Sequence, residues 1–279
     1  MIRELFHHEY LTTRKALATI AGWIFLVGVA SLVPVAIPVP FVENVGFLLA
    51  ILSFASLAPV LFGYLVYNYW QTMYGRRGYF TMTLPVRGRA IFAVKTIYAL
   101  LTVVLGCAVS VLGVWLFTVA LDLGQRVSLG TVWSSLISAI TEEMGNAVAP
   151  LLLIIAAQVV FYVVSILAMM SVSAQARFQH LGIGAPVIGG ILLYLAYYLT
   201  SLLAMMFIPL GVVLVGPDAG SIVAQGMWQE LLDLMSGSAA QADSIPEVLG
   251  MGMLISVAVT TALMVWWGVR SIERKTSLR

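Results

Sequence analysis

Apolar residues in this chain fall into six long unbroken runs, at about 16–36, 45–69, 96–121, 149–173, 185–208 and 248–269. A helix needs roughly 20 mostly apolar residues to cross the hydrocarbon core of a bilayer. Membrane strands would instead show as segments of about 10 residues with alternating polarity, a pattern the sequence lacks. The runs therefore predict an all-α polytopic membrane protein, a single transmembrane domain over 1–279 with six transmembrane helices. The fifth run continues past Pro209 to Val215, too long for an upright span, so the sequence predicts either a tilted helix or a break at Pro209.

The polar stretches between the runs add detail. Residues 1–15, MIRELFHHEYLTTRK, place Ile2, Leu5, Phe6 and Tyr10 at helical spacing, with Arg3, His7 and Arg14 elsewhere. That suits a short amphipathic helix in the inner interface, or a contact helix for a cytoplasmic partner. His7 and His8 are adjacent and so point apart on a helix, which argues against a shared metal ion. No small-residue cleavage site follows the first run, which is read as a retained span. The connections at about 122–148 and 209–247 have room for external helices. Within the second, IVAQGMWQELLDLM at 222–235 puts Ile222, Val223, Met227, Leu231, Leu234 and Met235 near one helical face, with Trp228 placed to anchor at headgroup depth. It predicts an ordinary interfacial helix or, alternatively, an outer gate over a substrate path. SGSAAQADS at 236–244 reads as a flexible loop.

Composition excludes a water-soluble domain. Hydrophobic residues make up 61% of the chain and charged residues 9%, against about a quarter charged in soluble proteins. The few cations are unevenly placed. With six spans, one side holds Arg3, Arg14, Lys15, Arg76, Arg77, Arg87, Arg89, Lys95, Arg177, Arg270, Arg274, Lys275 and Arg279, whereas the other holds only Arg126. Cationic loops stay inside, so both termini are expected in the cytoplasm of a cell whose plasma membrane the chain spans. The opposite connections carry acids instead, among them Glu43, Asp122, Glu142, Glu143, Asp218 and Asp243.

Chemistry-bearing residues are sparse. No Asp, Glu, Lys, Arg or His lies near the centre of a run, which argues against a proton or ion relay. Gln158 is the most polar mid-span side chain and suits a hydrogen bond between helices. Gly106, Ser110 and Gly113 share one face of the third run and would permit close helix packing. The single cysteine, Cys107, makes no internal disulfide and reads as a small buried apolar residue. A phosphate-cradling P-loop needs Gly-Lys-Ser/Thr. Lys15, Lys95 and Lys275 follow Arg14, Val94 and Arg274, so no such loop exists. Any ATP must be bound by another chain. No hydrolase elbow, zinc-binding helix pair or acid pair is present, so no enzymatic activity, cofactor or metal is expected of the chain itself.

One stretch stands out, YGRRGYFTMTLPVRGRAIFAVK at 74–95. Tyr79, Phe80, Met82 and Leu84 are apolar side chains stranded among cations in the connection between the second and third spans. Gly75 and Gly78 let the chain leave the second span sharply, and Pro85 can start a new helix. Apolar groups ringed by arginine suggest a docking surface. The competing reading has the aromatics dip into the headgroups while the cations fix orientation alone.

This stretch resembles the loop after the second span of type-2 ABC exporter permeases. The shared features are a Gly-containing turn, an aromatic, Thr-Leu-Pro and a basic segment ending in lysine: Gly75, Gly78, Tyr79, Phe80, Thr83, Leu84, Pro85, Arg87, Arg89 and Lys95. ELFHHEYLTTRK, with Glu9 and Arg14, resembles the family's amphipathic entry helix, and SIERKTSL its short basic tail. The resemblance implies a permease subunit that pairs with a second permease chain, identical or different, and with two ATPase subunits that bind the ATP. It also implies that Gly75, Arg76, Arg77, Gly78, Tyr79, Phe80, Thr83, Leu84 and Pro85 form an ATPase-coupling loop. The expected function is export of an amphipathic or hydrophobic substrate across the lipid bilayer, with no nucleic-acid partner. The alternatives are a non-transporting membrane scaffold, sensor or peptide-resistance protein, and an ion-coupled secondary transporter, against which the uncharged spans argue.

Overall fold

A computed structural model of the chain describes residues 2–36, 40–75, 78, 81, 86–123, 128–138, 147–182, 184–213, 220–224, 226–228, 232 and 248–274. It contains six helical stretches long and apolar enough to cross a membrane, and the chain is a multi-pass membrane protein. The first is α1 (Ile2–Ala30), continued after a break at Ser31 by α2 (Leu32–Ala36); then come α3 (Pro40–Met73) and α4 (Gly88–Leu123). A shorter helix, α5 (Leu129–Ser138), lies in the connection where an external helix was expected. The remaining spans are α6 (Val148–Ser173), α7 (Gly184–Phe207) and α8 (Gly252–Arg274). Only 6–39% of each span's most apolar window is buried within the chain. The outward leucines, such as Leu52, Leu105, Leu112 and Leu192, require an apolar solvent, which lipid supplies.

The residues form two compact units, Met1–Ser135 with Ile272–Arg279, and Leu136–Ser271. In the first unit α1, α3 and α4 pack on one another. In lipid, small residues that let backbones approach drive such contacts. A Cβ on Gly106 would lie 3.0 Å from Ala58 Cα, and Ser110 Oγ donates to Phe54 O at 2.7 Å. The glycine–serine face read from the sequence is thus the packed face of α4. Cys107 lies beside it but points outward and is exposed. The expectation of a buried thiol is therefore corrected: one step from a packed helical position turns a side chain about 100° around the axis, here into lipid.

Residues 2–15 are helical but are not separated from the first span; α1 runs through them without interruption. Their inward face also differs from the apolar one expected. Of the four apolar residues Leu5 and Phe6 are partly buried but Ile2 and Tyr10 are exposed, while Thr13 is fully buried and Glu9 half-buried.

In the second unit α6, α7 and α8 share a core of Phe161, Tyr197 and Val257. Gln158 makes the expected bond between helices, accepting from Tyr197 Oη at 2.9 Å. The Tyr197 ring stacks on Phe161 with centroids 3.9 Å apart. The fifth span ends at Phe207, two residues before Pro209, so the chain breaks there and does not continue as one tilted helix. A small antiparallel sheet follows, in the order β2-β1-β3, from β1 (Gly211–Val213), β2 (Ile222–Val223) and β3 (Val248–Gly250). Gly220, at φ 87°, precedes β2 and donates its N–H to Val213 O. The helix expected over 222–235 is thereby corrected at its start, where Ile222 and Val223 pair with Val212 and Gly211 in the sheet; Trp228 and Leu232 are helical, and 225, 229–231 and 233–235 lie outside the described residues. Val212 packs with Ala147 and Met251, giving the strands an apolar anchor that local helical periodicity does not reveal. Trp228 stacks on Phe207, with centroids 5.3 Å apart.

Candidate functional site

Seven of the nine residues assigned to the coupling loop, Arg76, Arg77, Tyr79, Phe80, Thr83, Leu84 and Pro85, lie outside the described residues. Gly75, Gly78 and Thr81 are described, and they show how the loop is held at its base. At the end of α3 the Tyr74 and Gly75 N–H groups both donate to Trp70 O, at 2.9 and 3.0 Å. A Cβ on Gly75 would stand 2.9 Å from Gln71 O, so the turn needs glycine. Gly78 N–H then donates to Gly75 O at 2.8 Å. Thr81 reaches back, its Oγ1 donating to Thr72 O at 2.7 Å and satisfying a carbonyl that the ending helix leaves over. On the far side Arg87 O accepts from Ala90 N–H at 2.9 Å, opening α4. Arg89 N–H donates to Glu273 Oε1 at 3.3 Å.

Directly behind this base sits a polar cluster that the sequence reading did not assemble. Lys95 Nζ donates to Glu9 Oε1 at 2.8 Å, Glu9 Oε2 at 2.9 Å and Thr72 Oγ1 at 3.0 Å. Three acceptors match the three protons of an ammonium. Asn68 Nδ2 adds a 3.3 Å bond to Glu9 Oε1, and Thr72 Oγ1 donates to Asn68 O at 2.7 Å. One turn further along α1, Thr13 and Tyr98 share a 2.6 Å hydrogen bond, and Phe6 meets the Tyr98 ring edge-on. The Lys95 ammonium also lies 5.9 Å from the Tyr69 ring centroid.

The cluster joins α1, α3, α4 and the first residues of the loop. Its two charges are largely withdrawn from solvent, Lys95 at 8% and Glu9 at 14% exposure. Removing one partner from such a pair leaves the other charge buried alone, which costs about 3–5 kcal/mol. A sequence signal for it existed: Glu9 and Lys95 are opposite charges, each about two turns inside its helix, hence at comparable depth. Among the described residues no group of three or more His, Cys, Asp or Glu is placed to hold a metal ion. No family model, curated protein or solved structure matches the chain.

Proposed function

We propose that the chain is the membrane-spanning subunit of an ABC exporter of the type-2 permease kind, driven by a separate ATPase and paired with a second permease chain. The reading rests on one observation, the sequence 75–85, which sets Tyr79, Phe80 and Leu84 among Arg76 and Arg77 in a connection between two spans. Apolar anchors within a charged rim are the composition of a protein-docking surface. The latched base behind the loop supports it, because a loop that transmits force needs a fixed attachment. In this reading both termini face the cytoplasm of a plasma-membrane protein, ATP is bound by the partner, and the cargo is amphipathic or hydrophobic.

Affinity purification of the chain from its native membrane in mild detergent tests the reading. An ABC ATPase is expected among the co-purifying chains, and its absence overturns the proposal. Truncating a buried aromatic anchor commonly costs about 2 kcal/mol or more, whereas rim charges contribute less. Phe80→Ala should therefore weaken ATPase retention more than Arg76→Ala, with membrane insertion unchanged in both. Full retention by the Tyr79→Ala, Phe80→Ala, Leu84→Ala triple variant would exclude docking through this loop.

A further inference from the structure

The cluster behind the loop does more than fill polar valences. Thr81 is tied to Thr72 through the Thr72 carbonyl. Thr72 is tied to Lys95 through its hydroxyl, and Lys95 is tied to Glu9 through both carboxylate oxygens. The last two links join residues distant in sequence, and the path runs from the loop to α1 by way of α3 and α4. Glu9 gives the path its direction. It sits on the first turns of α1, where Thr13 is the one fully buried residue of 2–15 and Leu5, Phe6 and Glu9 are partly buried. Those turns are thus held to the bundle by polar bonds from Glu9 and Thr13 together with the packing of Phe6 on Tyr98.

We infer that Lys95 is a positioning residue that clamps the base of the α3–α4 loop to the entry turns of α1, so that the two segments move as one body. Displacing the loop pulls Thr72 against Lys95, and Lys95 cannot yield without leaving the Glu9 carboxylate buried and unpaired. Because that state is costly, the entry turns follow the loop. This inference needs no partner protein, and its failure would remove the support of the latched base while leaving the sequence 75–85, on which the exporter reading rests, as it stands.

Amide hydrogen exchange on the purified full-length chain in lipid nanodiscs tests it. The amides of Tyr74, Gly75 and Gly78 carry the hydrogen bonds that report on the loop base, and residues 2–15 report on the entry turns. In Lys95→Met, both segments should exchange about tenfold faster or more, while the amides of α6 and α7 keep their parent rates. Glu9→Gln should act in the same direction. The double variant Glu9→Gln, Lys95→Met leaves no lone charge, so it should loosen the two segments no more than Lys95→Met alone. Thr81→Val cuts only the outermost link and should speed the loop amides while sparing residues 2–15. It also keeps the test decisive if Lys95→Met does not fold. The clamp is overturned if Lys95→Met changes one segment without the other, if α6 and α7 loosen equally, if the effects of Glu9→Gln and Lys95→Met multiply, or if Thr81→Val leaves the loop amides at parent rates.

Discussion

Phe54 occupies a slot made by two glycines on two other helices. A Cβ on Gly28 would meet the ring tip, 2.6 Å from Cε1 and 2.8 Å from Cζ, whereas a Cβ on Gly113 would press on the ring root at Cγ and Cδ1. A ring can tilt its tip aside, but its root is fixed by its own backbone. Gly113→Ala should therefore destabilise the chain by about 1–3 kcal/mol through overpacking, and Gly28→Ala by less. Adding Phe54→Leu should recover part of the Gly113→Ala loss. Unfolding by SDS in mixed micelles measures each step, and equal or reversed costs for the two glycines would reject the slot. The sequence marked Gly106, Ser110 and Gly113 as a packing face because helical spacing is local. It did not name Phe54 as the guest, because that contact is made between helices. Cys107 was misplaced for a related reason: composition says that a cysteine is apolar, but only the packed neighbours say which way it turns.

At the scale of elements, the pairing of α6 with α7 sets a hydrogen bond against an aromatic stack. Hydrogen bonds between membrane helices average about 0.6 kcal/mol. Tyr197→Phe removes the bond to Gln158 but keeps the ring on Phe161, so a loss near ~0.6 kcal/mol is expected. Tyr197→Ala removes the buried ring as well, for which about 3–5 kcal/mol is usual. Comparable losses for the two variants in the same unfolding assay would show that the hydroxyl, not the ring, holds the helices together. The six helices were legible because lipid demands long apolar runs, and each expected run lies at least mostly within one of them. Their ends were less so. α1 absorbs residues 2–15 because polar bonds from Glu9 and Thr13 carry the helix onward where apolar content falls. The sheet was invisible because its strands are two or three residues long and pair across a wide sequence gap, leaving no local alternation to read.

For the whole molecule, the decisive quantity is where the cations lie. Thirteen lysines and arginines fall on one side of the six-span scheme and Arg126 alone falls on the other, which is the asymmetry that sets orientation. The loop at 75–85 was legible as a candidate site because apolar side chains among arginines break the composition around them. The clamp at its base was not, since Glu9, Thr72 and Lys95 meet only once α1, α3 and α4 pack. Orientation decides whether that loop can meet an ATPase at all. Cys107 is exposed, so Cys107→Ala should leave stability nearly unchanged and supply a thiol-free parent. Single cysteines then report the side directly. With a membrane-impermeant maleimide on intact cells, Ser238→Cys should label at once, and Arg77→Cys only after the membrane is opened. Removing one arginine leaves the rest of the cationic side in place, so Arg77→Cys does not itself disturb the bias it reads. Labelling of position 77 from outside would invert the orientation and place the loop beyond reach of any cytoplasmic ATPase.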